Sequence, residues 1–505
     1  MKSKRPLLTF IAVFVVATLV GLLLRQENPA PIPTPFPATR TAHSGPTNPP
    51  KNPLPGAAGI GDSYFPLLGN GGYDALHYTL DLDVDMANNS LSGTAEMQAL
   101  ATQDLSSFNL DFYGMTISAI QVNGVDASYA RADRELTITP TTPISMADPF
   151  SVTVTYSGVP GAGLPSGLPA YEVGWTHYGH GILVAGEPSG NSVWYPVNEH
   201  PLDKATYSFE ITVAKPYSVA ANGVLLNTLD HGDSATFVWE SFNPIASYLV
   251  TLAIAEFEIE TTYSPDGLPI RNYFGVGVSN RVRRNFSVTG DMIAYFTTIF
   301  GPYPFEAYGV VVHDLNLNFA LETQTLSVFG RTFNHELVVS HELAHQWFGN
   351  SVGLESWQDI WLNEGFAYYA SILWKEHSNG EPAALREISQ AYAAVASGEN
   401  AGETENFSPP GAPPAEHLFN SGVYLRGALV LQALRIEVGD QAFFDVLRTY
   451  FSRYHNSNAS TADFIAVAEE VSQQDLGAFF DDWLYNPVMP DIPALGLYHD
   501  DFSAG

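Results

Sequence analysis

The stretch His341-Glu342-Leu343-Ala344-His345, followed by Glu364 nineteen residues after its second histidine, decides the fold and chemistry expected of this chain. On a helix, side chains four residues apart lie on one face, so the imidazoles of His341 and His345 can meet at one ion. Glu364 supplies a third, anionic ligand from a following helix. Three protein ligands leave one tetrahedral position open, as in catalytic zinc sites. The spacing therefore predicts one Zn2+ ion bound by His341, His345 and Glu364.

Glu342, between the two histidines, has a different expected role. A zinc site for hydrolysis needs a base that accepts a proton from the attacking water and passes it to the leaving amine. Glu342 lies on the same helix beside the ligands and is not expected to bind the metal. We therefore predict that Glu342 is the general base.

The first half of the chain has the pattern of a β-domain. Polar and apolar residues alternate over residues 77–84 and 150–156, which is typical of strands with one buried face. Asn123-Gly124 and Asn222-Gly223 are turn signals between such runs. Short strands without intervening helical periods predict an antiparallel β-domain of about 200 residues.

The second half is predicted to be mainly helical. Short strands are expected near residues 309–312 and 326–329. The first zinc-binding helix is expected to begin at Asn334, a good N-cap, and to end near Gly349-Asn350. The second is expected to begin near Asp359 and to carry Glu364 in its early turns, with Asp359 as its N-cap or as a side chain that orients a zinc ligand. Further helices are predicted over residues 384–396, 423–438, 441–454 and 461–471.

The composition is strongly acidic and free of cysteine. The 505 residues include 21 Lys and Arg against 53 Asp and Glu, and the formal net charge is −32. Such a surface repels nucleic acid, so no nucleic-acid partner is expected. Without cysteine the chain has neither disulfides nor thiolate metal ligands.

The N-terminus predicts export. Lys2, Lys4 and Arg5 precede an uncharged, mostly apolar stretch from Leu7 to Leu24, and a proline-dense segment follows it. We expect an uncleaved membrane anchor with its basic end in the cytoplasm, and a cleaved signal peptide is the alternative. The proline-dense segment is expected to be an extended spacer. Either way, the catalytic part is expected to lie outside the cytoplasm, on the membrane or secreted.

Several segments together resemble the M1 family of zinc aminopeptidases, the gluzincins. The zinc motif continues as Gln346-Trp347-Phe348-Gly349-Asn350, and Glu364 lies within Trp361-Leu362-Asn363-Glu364-Gly365-Phe366-Ala367. The resemblance also includes residues 73–78 and 194–201 and extends over roughly residues 70–488. It implies a β-domain followed by a thermolysin-like, mainly helical α+β catalytic domain. It further implies a metalloprotease that hydrolyses the N-terminal bond of peptides with a free N-terminus.

The resemblance also implies roles for three further residues. Family members carry Gly-x-Met-Glu-Asn upstream of the zinc helix, and its glutamate binds the substrate's α-amino group. Glu322 matches that glutamate within Phe319-Ala320-Leu321-Glu322-Thr323, although the glycine and asparagine are replaced. Glu187 matches a second amine-binding residue from the β-domain. Tyr424 matches the tyrosine that stabilises the oxyanion of the transition state.

The expected domain bounds follow from these patterns. They are an anchor or signal at residues 1–25, a Pro-rich linker at 26–58, a β-domain at 59–268, a zinc peptidase domain at 269–490 and a tail at 491–505. Many family members continue into a large C-terminal helical domain, which this sequence lacks. We therefore expect a short form of the family, with a more open cavity and weaker selection by peptide length.

Two other functions remain open from the sequence. A zinc endopeptidase shares the zinc motif, and it would cleave internal bonds of N-blocked peptides. A non-catalytic peptide-binding protein on the same scaffold is the second. Such a protein typically loses a metal ligand or the base, whereas His341, His345, Glu364 and Glu342 are all present.

Overall fold

The computed structural model describes residues 52–161 and 174–502. The predicted anchor or signal segment, residues 1–25, and most of the predicted linker, residues 26–58, therefore lie outside the described residues. Within the two described ranges, no helix combines the length and the apolar character needed to cross a membrane.

The N-terminal part is built from strands, as the sequence predicts. Its strands are β1 Leu54–Pro55, β2 Tyr73–Asp85, β3 Ser90–Ala101, β4 Leu105–Asp111, β5 Thr116–Val122, β6 Val125–Asp126, β7 Ser128–Ala132, β8 Glu135–Thr139, β9 Pro149–Gly158, β10 Gly174–His177, β11 Gly181–Ala185, β12 Ala205–Ala214, β13 Ser218–Ala221, β14 Val224–Asp230, β15 Ser234–Ile245 and β16 Leu252–Ala255.

These strands form three sheets. The largest has eight strands in the order β14-β15-β12-β2-β3-β9-β5-β6, and the two smaller ones run β1-β4-β8-β7 and β10-β11-β16-β13. Most neighbours are antiparallel, as predicted, but β12 runs parallel to β2 in register from Thr206 opposite His77 to Val213 opposite Val84. The last of the three sheets carries β11, whose carboxyl end leads directly into the segment with Glu187.

Strand β2 shows why the alternation predicts a sheet with one buried face. Leu80, Leu82 and Val84 are buried, whereas Asp81 and Asp83 between them are exposed. Successive side chains in a strand point to opposite faces, so the apolar face covers the core and the acidic face meets water.

The catalytic part begins with a mixed four-stranded sheet in the order β17-β18-β19-β20. Its strands are β17 Phe257–Tyr263, β18 Pro269–Gly275, β19 Tyr308–Val312 and β20 Ser327–Phe329. Strand β17 pairs antiparallel with β18, while β19 and β20 continue the sheet in parallel. The predicted domain boundary between residues 268 and 269 falls between two paired strands, because β17 hydrogen-bonds to the catalytic sheet.

Helices form the rest of the catalytic part. They are α1 Asn280–Arg283, α2 Thr289–Phe300, α3 Glu336–Ala344, α4 Trp361–Asn379, α5 Glu381–Asn400, α6 Gly427–Val438, α7 Asp440–Tyr454, α8 Thr461–Ser472 and α9 Gly477–Leu484. A short parallel pair, β21 Val352–Leu354 and β22 Ser457–Ala459, joins the end of the zinc motif to the start of α8. Buried aromatic side chains, among them Trp347, Trp361 and Phe464, fill the space between α2, α3, α4, α7 and α8.

The zinc helix α3 is shorter than predicted at both ends. The expectation that Asn334 caps it is wrong, because His335 occupies the N-cap. The side chain of Asn334 is engaged elsewhere: its amide donates to Gly330 O (2.8 Å) and its oxygen accepts from Asn285 (2.8 Å). The helix ends at Ala344 with His345 as its C-cap, and a turn with Gly349 at φ 119° follows.

Polar contacts from two side chains connect the N-terminal part to the loops around α3 and α4. The ammonium of Lys204 donates to the carbonyls of Asn350 (2.9 Å), Ser351 (3.1 Å) and Ser457 (2.9 Å). The carboxylate of Asp62 accepts from the backbone N–H of Trp357 at 2.9 Å, as well as from donors near its own position. Both side chains fix the catalytic loops against the β-domain, because each satisfies main-chain groups across the junction.

Candidate active site

Three donor atoms converge at the end of α3, as the spacing predicts. His341 Nε2 lies 3.1 Å from Glu364 Oε2 and 3.1 Å from His345 Nε2, and His345 Nε2 lies 3.4 Å from Glu364 Oε2. Ligand atoms about 2.0–2.1 Å from a tetrahedral ion are roughly 3.3 Å apart. The three donors therefore fit one zinc ion without rearrangement, and two imidazoles with one carboxylate are a typical donor set for catalytic zinc.

Local structure orients each donor. The Nδ1 atom of His345 lies 3.1 Å from the carbonyl of Phe348, so Nδ1–H donates there and Nε2 is left free for a metal. Glu364 lies in the first turn of α4, where the helix dipole favours a negative charge. Asp359 takes neither of its predicted roles, because it accepts from the hydroxyl of Thr461 at 2.6 Å and so binds at the start of α8.

The electrostatics of this cluster call for a cation. Burial lowers the pKa of His341. Burial also opposes a charge on His345, yet Glu322 and Glu364 outweigh it and raise the pKa of His345 to about 10. Burial opposes the charge on Glu364 as well, but His345 and His341 lower the pKa of that carboxyl to about 2. The carboxylates that stabilise a proton on the His345 imidazole would equally stabilise a bound Zn2+, which would replace that proton at Nε2.

The predicted base, Glu342, faces the same cluster. Its side chain is buried, and a carboxylate oxygen lies within 4.8 Å of donor atoms of Glu322 and His345. Burial raises the pKa of Glu342 well above its ordinary value; His345 opposes this shift, and Glu322 and Glu364 add to it. A carboxyl poised next to the zinc ligands, and not among the three converging donors, has the position that a proton carrier needs.

Glu187 and Glu322 lie beside the zinc donors. Oxygen atoms of Glu187, Glu322 and Glu364 are all within 4.8 Å of one another. Burial raises the pKa of both Glu187 and Glu322. Their Oε1 atoms are buried and accept no hydrogen bond from any residue in the described ranges. The site therefore presents two carboxylates to a cationic group placed next to the metal.

Two residues that the sequence reasoning missed hold the main chain of Glu322. Gln346 and Asn350 donate from their side-chain amides to the carbonyl of Glu322 at 3.0 and 2.7 Å. The side-chain oxygen of Gln346 accepts in turn from the N–H of Thr325 at 2.9 Å. The only signal in the sequence is their place directly after the zinc motif, where turn residues are expected in any case. Both side chains are fully buried.

Tyr424 enters the site from a wide turn. Residues Gly422–Arg426 form a π-helical turn before α6, a feature that is frequent at functional sites. The Tyr424 ring lies over that of His341, with centroids 6.1 Å apart and planes 24° apart. Burial, together with Glu364 and Glu187, raises the pKa of Tyr424 well above its ordinary value. The phenol therefore stays protonated and can donate a hydrogen bond.

Helices α4 and α6 pack closely together, and this packing brings Glu364 and Tyr424 into one site. Gly365 and Gly427 face each other, and a Cβ on Gly365 would lie 2.9 Å from main-chain atoms of Gly427. Glycine at both positions lets the two helices touch backbone to backbone. The structure thus brings all seven predicted site residues to one place: His341, Glu342, His345, Glu364, Glu322, Glu187 and Tyr424.

Three further histidines, His177, His180 and His200, are not among the groups of converging donor atoms in the described ranges. His177 contacts the carbonyl of Met86 at 3.1 Å, and His180 lies 3.9 Å from Asp314. His200 accepts from the N–H of Leu202 and contacts Asp62, so it organises a turn.

Comparisons with known proteins match both parts of the chain to one family. The model of the peptidase M1 N-terminal domain matches residues 74–249, and that of the peptidase family M1 domain matches residues 287–483. Among solved structures, an M1 zinc metallopeptidase mutant from Deinococcus radiodurans, bound to a Tyr-Ser-Ala substrate, is similar with a TM-score of 0.78 and 31% identity. The match covers 86% of this chain and 99% of that one.

Longer relatives match over a shorter share of their length. Aminopeptidase M1-D from Oryza sativa subsp. japonica is 26% identical over 334 residues, which is 61% of this chain and 37% of that protein. Glutamyl aminopeptidase from Sus scrofa is 26% identical over 323 residues, 59% of this chain and 34% of that protein. The chain thus spans about a third of these curated relatives. The two matched domains, in order, and the near-complete match to a two-domain structure of 31% identity show that this chain belongs to the peptidase M1 family.

Proposed function

We propose that this protein is a zinc-dependent aminopeptidase that removes single residues from peptide N-termini. The observation that carries the proposal is the position of Glu187 and Glu322. Their oxygens lie within 4.8 Å of each other and of the zinc donor Glu364. The predicted zinc site is thus directly adjacent to two carboxylates, each with a buried oxygen that has no hydrogen-bond partner in the described ranges. A free α-ammonium group fits such a pair, and an uncharged, continuing chain does not.

The amine anchor fixes which bond is cut. With the ammonium between Glu187 and Glu322, the first carbonyl of the peptide lies at the metal donors, because only two bonds separate the nitrogen from that carbonyl carbon. Holding the carbonyl in a fixed position next to the attacking water lowers the activation barrier of hydrolysis, because the entropy of bringing the two together is already lost on binding. The register is therefore one residue from the N-terminus.

The remaining residues carry the proton and stabilise the developing charge. Zinc, when held by His341, His345 and Glu364, would polarise the substrate carbonyl and lower the pKa of a bound water. Glu342 would accept a proton from the attacking water and pass it to the leaving nitrogen. Tyr424 donates from its phenol to the oxygen that gains negative charge.

The proposal is tested by comparing an aminoacyl fluorogenic substrate that has a free amine with its N-acetylated twin, using the full chain loaded with zinc. We expect turnover of the free-amine substrate alone, abolished by a chelator and restored by Zn2+. Cleavage of both substrates would move the assignment to a zinc endopeptidase. Cleavage of neither, with one zinc bound per chain, would support a peptide-binding protein and overturn the proposal.

We also propose that the catalytic part works outside the cytoplasm. The support is in the sequence: Lys2, Lys4 and Arg5 precede the apolar stretch from Leu7 to Leu24, which is typical of an exported or anchored protein. Protease added to intact cells should degrade the catalytic part if it is anchored, and culture medium should contain it if the segment is cleaved. Protection inside intact cells would contradict the proposal.

A further inference from the structure

The three carboxylates of Glu187, Glu322 and Glu364 lie close together, with one oxygen of each within 4.8 Å of the others. Each comes from a different part of the fold: the segment after β11, the segment between β19 and β20, and the first turn of α4. A set of acidic side chains is common on protein surfaces and means little there. This set is different because Glu322 and Glu364 are only 2% and 3% exposed.

Two of these carboxylates have oxygens without a partner. Glu187 Oε1 and Glu322 Oε1 are buried and receive no hydrogen bond from the described parts of the chain. Buried carboxylate oxygens are normally paired or coordinate a metal. The unpartnered oxygen of Glu322, on a side chain that is almost wholly buried, is therefore an independent sign that a cation belongs here.

Main-chain packing holds the two segments that carry Glu322 and Glu187. The carbonyl of Glu322 is held by the amides of Gln346 and Asn350. Beside Glu187, a Cβ on Gly186 would lie 2.7 Å from the amide nitrogen of Asn191 and 2.9 Å from the carbonyl of Tyr248, so this segment is packed tightly against its neighbours. Carboxylates this close repel one another when they are ionised, and a cation bound between them would offset that repulsion.

We propose that Glu187, Glu322 and Glu364 form a second divalent-cation site, adjacent to the zinc site and sharing Glu364 with it. Its donors are all carboxylate oxygens, which suit Mn2+, Ca2+ and Mg2+, whereas the zinc site has two imidazoles. Oxygens about 2.1–2.5 Å from one ion are up to roughly 5 Å apart, so the observed limit of 4.8 Å accommodates such a cation.

The second cation would occupy the place of the substrate ammonium. It would therefore compete with free-amine peptides and act as an inhibitor, without taking part in hydrolysis. This consequence rests on the proposed aminopeptidase function, whereas binding of the cation does not. Binding and inhibition are for that reason measured separately.

The binding test uses the full chain carrying one zinc, titrated with Mn2+ while free Mn2+ is followed by electron paramagnetic resonance. We expect one Mn2+ per chain at the site, with the zinc content unchanged. Glu187→Gln and Glu322→Gln should each weaken that Mn2+ binding at least tenfold and keep one zinc, which also reports an intact fold. The control Glu416→Gln changes an exposed carboxylate and should bind Mn2+ as the parent does.

Three results of the Mn2+ titration would overturn the proposal. Mn2+ binding that neither Glu187→Gln nor Glu322→Gln weakens would assign the ion to surface acids and overturn the proposal. Displacement of zinc by Mn2+, or no Mn2+ bound, would overturn it as well.

The kinetic test follows hydrolysis of the free-amine substrate at increasing Mn2+. We expect the apparent KM to rise linearly with Mn2+ concentration while kcat stays constant. A fall in kcat at constant KM would place the ion elsewhere and overturn the proposal. If the protein proves not to be an aminopeptidase, the Mn2+ titration still tests the cation site. If the protein hydrolyses the free-amine substrate but binds no Mn2+, the cation site is refuted and the proposed function stands.

Discussion

The side-chain amide of Asn350 donates a 2.7 Å hydrogen bond to the main-chain carbonyl of Glu322. Gln346 donates to the same carbonyl at 3.0 Å, so both residues connect the turn after the zinc helix to the segment that carries the proposed amine anchor. The link therefore connects the proposed amine anchor to the zinc donors, because the turn begins at His345, the C-cap of α3.

Replacing Asn350 by alanine should loosen the anchor. When the buried carbonyl of Glu322 loses one of its two donors, the cost is about 1 kcal/mol, so we expect Asn350→Ala to raise KM for free-amine substrates about fivefold. The kcat and the zinc content should change little. Asn458→Ala is the control, because Asn458 also donates to two carbonyls, those of Pro201 and Leu354, away from the anchor. A loss of kcat at unchanged KM would show that Asn350 does not act through Glu322.

The zinc ligands are readable from the sequence because helix geometry alone places His341 and His345 together. The role of Gln346 is not readable, because it depends on a contact with a segment more than twenty residues away. The start of α3 was predicted wrongly for a similar reason: Asn334 is a good N-cap by residue type, but Asn285 and Gly330 engage its side chain. Glu187 and Tyr424 required the family resemblance, since no local pattern distinguishes them from other glutamates and tyrosines.

Glu342→Gln should abolish hydrolysis and leave metal binding intact. The amide cannot accept the proton of the attacking water, so we expect turnover to fall by about 10²–10⁴-fold. Metal analysis should still find one zinc per chain, because Glu342 is not among the three converging donors. Glu336→Gln, an exposed position in the first turn of the same helix, should retain turnover. Loss of zinc together with activity would make Glu342 a ligand.

Tyr424→Phe should lower kcat by about 10²–10³-fold, the usual cost of one lost donor to a developing oxyanion. The ring can remain over His341, so KM and stability should change little. Steady-state kinetics separate these effects. Tyr369→Phe serves as a control, because its hydroxyl donates to Gln432 in the core, 3.1 Å away. An effect of Tyr424→Phe confined to KM would contradict the assigned role.

Gly365→Ala should damage both stability and the site. The new Cβ would meet main-chain atoms of Gly427 at 2.9 Å, and backbone cannot move as a flexible side chain does. We expect a loss of about 2–3 kcal/mol in the free energy of unfolding, measured with urea, and weaker zinc binding because Glu364 is displaced. Gly477→Ala is the matched control: its nearest neighbour would be Asp475 Oδ1 at 3.5 Å, so little change is expected.

Asp62 gives a prediction for pH. Its carboxylate accepts from the N–H groups of Tyr64 (2.7 Å), Phe65 (2.9 Å) and Trp357 (2.9 Å), and it contacts His200 at 3.1 Å. Burial opposes the charge, but these donors outweigh it and hold the pKa of Asp62 well below its ordinary value. A carboxyl whose pKa is lower in the folded state stabilises the fold above its unfolded-state pKa of about 4 and loses that contribution as the pH falls.

Asp62→Asn should therefore destabilise the protein in a pH-dependent way. At pH 7 we expect the variant to lose about 3 kcal/mol, because an amide NH2 group would face N–H donors in a buried place. The gap to the parent should narrow by about 1.4 kcal/mol for each pH unit below 4. Urea unfolding at pH 7 and at pH 3 measures both values, with Asp81→Asn, exposed on β2, as the control. A gap of equal size at both pH values would mean that the charge of Asp62 does not stabilise the fold.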